Sequence, residues 1–354
     1  MKFKGRNSGQ SAGDSPSPEV PAGGSDVPQT VIETPDVVAE TPEAIVETVV
    51  ETVVEAPAPA FDGPQAVFEG MDVPEAIVPD GVPLDSSKVV IPDPPVLTTH
   101  GPARVIAMVN QKGGVGKTTS TVSLGAALAS YGRRVLLVDF DPQGAISVSF
   151  GVNPNELELT IYNALTQADC HVGDVIMTTD TPGLDLLPSN IDLSAAELQL
   201  VSEVGREHAL GRVLAPILDD YDVILIDCQP SLGLLTLNAL TAASGVIIPM
   251  GTEYFALRGV ALLKDTIDKV KARLNPNLSI IGVLPTMYDP RTLHSREVLS
   301  TVQQAFGDLV FVTVIHRTVK FPDAAVAGEP ITAFAPGSSG SESYRQLARE
   351  VLAR

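Results

Sequence analysis

The stretch at 112–119, Lys-Gly-Gly-Val-Gly-Lys-Thr-Thr, combines glycines, two lysines and two hydroxyl side chains. It follows an apolar run at 105–109 that predicts a buried strand, and it leads into a helix-length segment at 118–130. Glycines let successive backbone N–H groups turn toward one anion, and the positive end of the helix dipole favours the same anion. The pattern therefore predicts a phosphate-binding loop in which Lys117 reaches the β- and γ-phosphates and the Thr118 hydroxyl meets Mg²⁺.

The loop departs from the usual phosphate-loop pattern at one position. That pattern has a glycine five residues before Gly116, and this chain has Gln111 there. It has an additional lysine, Lys112, at the start of the loop instead. Because a cation at a helix N-terminus is unfavourable without an anion, Lys117 favours phosphate binding over a solvated surface position. For Lys112 a plain surface charge stays open.

Three aspartates close or follow predicted strands, namely Asp139 and Asp141 after 134–138 and Asp227 after 222–226. Ligands of parallel sheets bind outside the carboxyl ends of the strands, so these carboxylates are expected beside the loop. A carboxylate at the end of a buried strand is costly without a partner, and hydrated Mg²⁺ is the natural partner for Asp227. We expect Asp139 and Asp141 to differ in role.

From residue 104 onward, apolar runs of strand length alternate with amphipathic segments of helix length. The predicted strands lie at 105–109, 134–138, 185–188, 222–226, 245–249, 279–284 and 310–314. The predicted helices lie near 118–130, 194–203, 208–219, 233–243, 256–273, 293–306 and 341–353. Strands that are apolar on both faces and alternate with helices predict a parallel sheet covered by helices on both sides, an α/β fold.

These residues resemble those of a known family. The segment at 110–119 resembles the deviant phosphate loop of the ParA/Soj ATPases, which are relatives of MinD. Further blocks that resemble the same family follow in order at 135–144, 221–233, 253–259 and 286–291. The resemblance covers about 104–353 and implies a three-layer P-loop NTPase fold, with a mostly parallel sheet flanked by helices.

The resemblance implies roles for individual residues. It implies that ATP binds at Lys112, Gly113, Gly114, Val115, Gly116, Lys117, Thr118, Thr119 and Met287. It implies that Mg²⁺ is held by Thr118 and, through water, by Asp139 and Asp227. It assigns hydrolysis to Lys112, Lys117 and Asp141, with Asp141 positioning the attacking water. ATP is then the substrate, and Lys112 crosses a dimer interface to the nucleotide of the partner.

What the resemblance implies about function is a positioning ATPase of the chromosome- or plasmid-partitioning type. We expect weak basal hydrolysis that a ParB-like or other protein stimulates, a homodimer with ATP, and a cytoplasmic, nucleoid-associated location. Family members of this type bind DNA without sequence preference. The candidate DNA contacts are Lys264, Lys269, Lys271, Arg273, Arg291 and Arg296, with Arg317 and Lys320 nearby in sequence. A solvated helix face stays open, because Asp265 and Asp268 lie among these residues.

Two other classes share the loop. A MinD-like membrane-associated ATPase needs a basic amphipathic helix at the C-terminus, and the segment at 343–354 offers little apolar bulk for it. Amidoligases and dethiobiotin synthetases lack the Asp-Pro-Gln-Gly block present at 141–144. Departures from the ParA pattern at Ala145, Gln229 and 315–318 put the base pocket and the coupling to a stimulating partner in question.

Charge is distributed unevenly along the chain. The formal net charge is −20, and residues 1–100 carry 4 Lys/Arg against 17 Asp/Glu. This region is rich in Pro, Ser, Gly, Val and Glu, a composition that predicts a disordered acidic tail at 1–99 before an ATPase domain at 100–354. The two cysteines support neither a disulfide scaffold nor a zinc site. We expect no signal peptide and no stable membrane insertion, because no apolar run approaches ~18 residues.

Overall fold

The computed structural model describes residues 91–253 and 256–354. Of the tail predicted at 1–99, residues 1–90 lie outside the described residues. Among the described residues the strands are β1 (Arg104–Met108), β2 (Val135–Phe140), β3 (Met177–Thr178), β4 (Leu184–Leu187), β5 (Val223–Cys228), β6 (Gly245–Gly251) and β7 (Ser279–Thr286).

Helices connect and flank these strands. They are α1 (Lys117–Ser130), α2 (Ala145–Val148), α3 (Ile161–Thr166), α4 (Val172–Val175), α5 (Leu193–Leu200), α6 (Ala209–Leu214), α7 (Leu234–Ala242), α8 (Ala256–Arg273), α9 (Leu293–Phe306), α10 (Lys320–Ala327), α11 (Ile331–Phe334) and α12 (Ser339–Ala353). Within the described ranges, single 3₁₀ turns occur at Pro154–Glu156, Arg206–His208, Ala215–Ile217 and Gly307–Leu309.

The strands form one sheet in the order β3-β4-β2-β5-β1-β6-β7. Only the edge strand β3 runs antiparallel to its neighbour within the described chain. The central strands are buried on both faces, which is why they read as continuous apolar runs rather than alternating ones. The predicted α/β class with a mostly parallel sheet is confirmed.

Helices cover both faces of this sheet. Apolar residues of α3 to α9 join one core cluster on one face. Apolar residues of α1, α2 and α10 to α12 join the second cluster on the other face. The molecule thus has three layers, as the predicted P-loop NTPase fold requires.

The strand predicted at 310–314 is wrong. The structure has a single parallel bridge there, between Val283 and Val310. The cause lies in α12, whose Glu350 carboxylate accepts hydrogen bonds from the backbone N–H groups of Val312 and Thr313 at 2.9 and 3.1 Å. Because a side chain satisfies these donors, the segment does not extend the ladder along β7.

The helix predicted at 208–219 is shorter than expected. It is helical over Ala209–Leu214 and then tightens into the 3₁₀ turn at Ala215–Ile217. Pro216 lies in that turn, and a proline removes the N–H that would continue the α-helical hydrogen bonds. The strand β3 and the short helices α2, α3, α4, α10 and α11 were not predicted.

Candidate functional site

The predicted phosphate loop connects β1 to α1 at the carboxyl edge of the sheet. Gly114 and Gly116 have left-handed backbone, with φ of 71° and 83°, and Gly116 directly precedes the first turn of α1. A Cβ atom built on Gly113, Gly114 or Gly116 meets no atom within 4 Å. These glycines therefore border open space, where a phosphate could approach the backbone closely.

Two contacts fix this loop to the neighbouring strands. The buried Asn110 donates from Nδ2 to the carbonyl of Pro249 in β6 at 2.7 Å and accepts from the backbone N–H of Lys112 at 2.9 Å. Thr286, at the end of β7, donates to the carbonyl of Val115 at 2.8 Å. Sequence reasoning missed the anchoring role of Asn110, although a polar residue directly after a buried strand was the available signal.

Lys117 is a buried cation with a single weak partner. It is 7% exposed, and its Nζ donates to the carbonyl of Lys112 at 3.2 Å. Burial lowers the pKa of Lys117, and the negative charge of Asp227 opposes that shift. A buried ammonium needs more than one neutral carbonyl to offset its lost hydration, so the site suits an anion at this lysine.

Asp227 lies at the end of β5 beside the first turn of α1. Its Oδ2 accepts a hydrogen bond from the Thr118 hydroxyl at 2.5 Å, and its Oδ1 accepts one from Thr121 at 3.3 Å. Thr121 was not predicted as a site residue. Burial raises the pKa of Asp227 to about 8, with the nearby Asp139 adding to the rise and Lys117 opposing it. This carboxylate would gain from a cation placed next to it.

Asp139 lies beside Asp227, because the two residues are register partners on the adjacent strands β2 and β5. Its Oδ2 accepts from the backbone N–H and the hydroxyl of Ser147 at 3.1 Å each, whereas its buried Oδ1 has no hydrogen-bond partner among the described residues. Burial raises the pKa of Asp139 to about 7. Ser147, eight residues further along the chain, is a second neighbour that sequence reasoning missed.

These donors fit a magnesium ion. Mg²⁺ prefers hydroxyl and carboxylate oxygens and keeps several waters, and it takes its remaining ligands from phosphates. Thr118 and Asp227 already lie side by side, and Asp139 has an oxygen atom without a partner close by. Within 91–253 and 256–354 there is no cluster of three or more His, Cys, Asp or Glu side chains that would form a metal cage of protein ligands alone.

Asp141 lies in a different environment. It follows the end of β2, is partly exposed, and its Oδ1 accepts from the backbone N–H of Gln143 at 2.9 Å. Its carbonyl accepts from Gly144 at 3.0 Å, which forms the turn into α2. The charge of Asp141 acts on Lys117 of the phosphate loop, so this partly exposed carboxylate lies near the loop, while Asp139 is fully buried. The two aspartates therefore differ in setting as well as in position.

A cavity of about 320 Å³ opens from the end of the phosphate loop. Its lining includes Gly116, Thr119, Met287, His316 and Phe321. Met287 was predicted to contact ATP. Among the described residues other than glycine, it is the one with left-handed backbone, at φ 54°. Strain of this kind is held in place by surrounding structure and is typical of ligand sites.

His316 departs from the ParA pattern and lies on the wall of this cavity. Its ring meets the Tyr288 ring edge-on, with centroids 5.4 Å apart. Burial lowers the pKa of His316, and the charge of Asp289 opposes that shift. The departure thus leaves a cavity at this position, with an aromatic and partly apolar lining.

The candidate DNA contacts do not lie together. Lys269, Lys271 and Arg273 are exposed at the end of α8, which runs from β6 back to the start of β7. Arg291 and Arg296 are exposed beside the start of α9, after the carboxyl end of β7. The first group lies near the amino end of β7 and the second near its carboxyl end, so the two groups lie at opposite ends of the strands.

Some of these cations already have partners. Lys264 pairs with Asp268 one turn further along α8 at 2.7 Å. Arg291 makes two hydrogen bonds with the Asp289 carboxylate, at 2.9 and 2.8 Å. Pairs of this kind stabilise their own segment and reduce the charge available to a polyanion.

The C-terminal helix α12 uses its apolar face inside the molecule. Tyr344, Leu347 and Val351 are buried in the core cluster that includes α1. The hydroxyl of Tyr344 also lies 2.9 Å from that of Ser120 in α1. This helix therefore packs on the domain. No helix in the described part of the chain is long and apolar enough to cross a membrane.

The parallel sheet with a phosphate loop after β1 defines a P-loop nucleotide-binding protein. A family model described as an AAA domain matches residues 103–280. The chain is 62% identical over 264 residues to an uncharacterised protein of Mycobacterium tuberculosis, covering 75% of this chain and 83% of that protein. It is 49% identical over 251 residues to the chromosome-partitioning ATPase Soj of Treponema pallidum, covering 71% and 98%.

A solved structure from Mycobacterium smegmatis is also similar. It is described as cobyrinic acid a,c-diamide synthase with bound ADP and magnesium, and it aligns with a TM-score of 0.62 and 45% identity over 70% of this chain and 92% of its own. With these matches the chain belongs to the ParA/MinD family of P-loop ATPases. The resemblance that the phosphate loop suggested is thereby confirmed.

Proposed function

We propose that this protein is an ATP-driven positioning switch of the chromosome- or plasmid-partitioning type. The observation that carries the proposal is a phosphate loop with two lysines in contrasting settings. Lys117 is buried in the first turn of α1, whereas Lys112, at the start of the loop, is about half exposed. A single bound nucleotide needs the buried lysine, and the exposed one is available to a second nucleotide on a partner protomer.

ATP with Mg²⁺ fits the site residue by residue. The backbone of 113–116 and Lys117 would hold the phosphates, and Thr118 with Asp227 would hold Mg²⁺, which supplies charge neutralisation when bound. The cavity beside Met287 and His316 would take the base. Asp141 lies close enough to Lys117 for its charge to act on that lysine, and there it would orient the attacking water. The related M. smegmatis structure contains ADP and magnesium, which supports this assignment.

Dimerisation follows from the open side of the loop. Gly113 has no neighbour within 4 Å of a built Cβ, so a second backbone has room to approach it. In the proposed dimer two chains enclose two ATP molecules, and each Lys112 reaches the phosphates held by its partner. Hydrolysis removes the group that both chains share, and the dimer opens.

DNA is the proposed ligand of the ATP-bound dimer, held without sequence preference. The relative from T. pallidum is named as a chromosome-partitioning ATPase, which supports this reading. The exposed cluster Lys269, Lys271 and Arg273 at the end of α8 is the favoured contact surface, because these three side chains form no ion pair within 91–253 and 256–354. A ParB-like protein would stimulate hydrolysis and so release the dimer.

Two alternatives have different requirements. A MinD-like membrane role needs an amphipathic helix free to leave the domain, and the apolar face of α12 is buried. An amidoligase role is favoured only by the description of the M. smegmatis structure. It would couple ATP hydrolysis to the amidation of cobyrinic acid rather than to DNA.

Cosedimentation separates these functions. Protein with no nucleotide, with ADP or with Mg²⁺–ATPγS is mixed with plasmid DNA, with anionic phosphatidylglycerol vesicles, or with neither. The proposal expects DNA binding only with ATPγS, and weaker binding as salt rises because counterions are released. Vesicle binding without DNA binding would favour the MinD-like role. ATP turnover that depends on cobyrinic acid would favour the ligase.

A further inference from the structure

Lys112 has a partner within its own protomer. Its Nζ donates a hydrogen bond to Oε2 of Glu253, and the two side chains are 46% and 60% exposed. Lys112 follows β1 and Glu253 follows β6, which are neighbouring strands of the sheet. The ion pair therefore lies at the carboxyl edge, directly beside the phosphate loop.

The backbone on both sides of this pair is fixed. The N–H of Lys112 donates to Asn110 at 2.9 Å, and its carbonyl accepts from Lys117 at 3.2 Å. The N–H of Glu253 donates to the carbonyl of Gly251 at 2.8 Å. Lys112 can therefore change partners by rotating its side chain alone, without any rearrangement of the loop that binds phosphate.

Glu253 faces positive charge. The hydrogen bond and charge of Lys112 lower the pKa of Glu253, and the charges of Arg317 and His294 lower it further. The carboxylate is therefore ionised at neutral pH and holds the ammonium as an ion pair. A triphosphate offers the same ammonium a stronger anionic partner, so the two anions compete for one cation.

We propose that Glu253 is a positioning residue that holds Lys112 inside the protomer, so that dimerisation exchanges the Glu253 carboxylate for the phosphates of the partner's ATP. This inference rests on the proposed function, from which it takes the dimer and the crossing lysine. It adds the residue that sets how readily the exchange occurs. Because the pair is exposed, its removal shifts the dimer equilibrium modestly, by up to about fivefold.

Analytical ultracentrifugation with Mg²⁺–ATPγS tests this role on the full-length chain. Glu253→Gln keeps the shape of the side chain and removes its charge, and it is expected to tighten the dimer by about two- to fivefold. Glu253→Asp, which restores the carboxylate, is expected to return the dissociation constant toward the wild-type value. Monomer affinity for ATPγS is measured in parallel and is expected to stay the same in both variants.

The matched control is another exposed ion pair. Asp268→Asn removes the partner of Lys264 on α8, away from the loop, and is expected to leave the dimer unchanged. In the Lys112→Ala background Glu253→Gln is expected to give no gain, because the cation over which the two anions compete is absent. A dimer that weakens or stays the same in Glu253→Gln overturns the inference, and so does a gain that persists without Lys112.

Failure of the wild-type protein to dimerise would have a different meaning from failure of the Glu253 variants. If the wild-type protein and every variant stay monomeric with Mg²⁺–ATPγS, the proposed switch is wrong and the role of Glu253 falls with it. If the wild-type protein dimerises and Glu253→Gln behaves as Asp268→Asn does, only the role of Glu253 is overturned.

Discussion

The charges of the phosphate loop and the charges of α8 and α9 have very different surroundings. Lys117 is almost fully buried and meets one carbonyl oxygen, and Asp139 is fully buried with one carboxylate oxygen unpartnered. Lys264 and Arg291 are more exposed, and each already pairs with an aspartate of its own segment. The first group was predicted to bind ATP and Mg²⁺, and the second was predicted to bind DNA.

The difference shows which prediction the structure supports more strongly. A buried charge with incomplete partners destabilises the protein until a ligand compensates it, so its presence points to that ligand. An exposed charge costs little, and a surface ion pair contributes little either way. The nucleotide site thus follows from the energetics of the fold, whereas the DNA surface depends on experiments that compare groups of exposed residues.

The largest effect is expected for Lys117→Ala. Removing a buried cation that contacts the phosphates should weaken ATP binding by about a hundredfold or more. Lys112→Ala is the matched control, because its exposed charge acts across the proposed dimer, and monomer affinity should change by less than about fivefold. Calorimetric titration of ATPγS checks both variants. Equal losses would argue against a Lys112 that acts on the nucleotide of the partner.

The second comparison sets Asp141 against Gly113. Asp141→Ala should bind ATP but hydrolyse it about a hundredfold more slowly, so dimers accumulate. Gly113→Val should bind ATP as a monomer, since a Cβ atom at this position meets no atom of the described residues within 4 Å and the side chain would obstruct an approaching partner. Light scattering with ATP separates the two. A monomeric Asp141→Ala protein would contradict the role of Asp141.

The contrast also explains what sequence reasoning could reach. The phosphate loop was predictable because its chemistry is local, with glycines, lysine and threonine fixed by spacing along one segment. The helices expected at 256–273 and 293–306 have those bounds, because their amphipathic periodicity is long and clear.

Contacts between distant segments were not predictable in this way. Asn110 reaches Pro249 because β1 and β6 are neighbours, and Ser147 reaches Asp139 because α2 folds back over the end of β2. The failed strand at 310–314 has the same cause, since the Glu350 carboxylate takes its backbone donors from 38 residues away. Such contacts depend on strand register and on hydrogen bonds from distant side chains, and a local sequence pattern predicts neither.

The third prediction concerns the exposed cations. Reversing Lys269, Lys271 and Arg273 to Glu together should weaken DNA binding by about tenfold at moderate salt and lower the salt dependence by about one counterion per residue. Arg291→Glu with Arg296→Glu, at the opposite end of the strands, should have the smaller effect because Arg291 is held by Asp289. Fluorescence anisotropy with labelled duplex checks this, with ATP hydrolysis without DNA expected unchanged in both. A larger loss at the α9 site would move the surface there.

The smallest effect is expected in the free energy of unfolding, and it tests whether the buried carboxylates of the nucleotide site lack compensation. Burial raises the pKa of Asp139 to about 7 and that of Asp227 to about 8. The native protein then keeps protons that the unfolded chain releases near pH ~4, so the free energy of unfolding falls as pH rises from about 4 toward 8. Asp139→Asn removes one of these groups and should raise the Tm of the nucleotide-free protein at pH 8 by about 3 °C, with little change near pH 4.5. Differential scanning calorimetry across this range checks it. Parallel profiles for the two proteins would show that the Asp139 carboxylate is already compensated without a ligand, and Asp139 would then lose its place beside the metal.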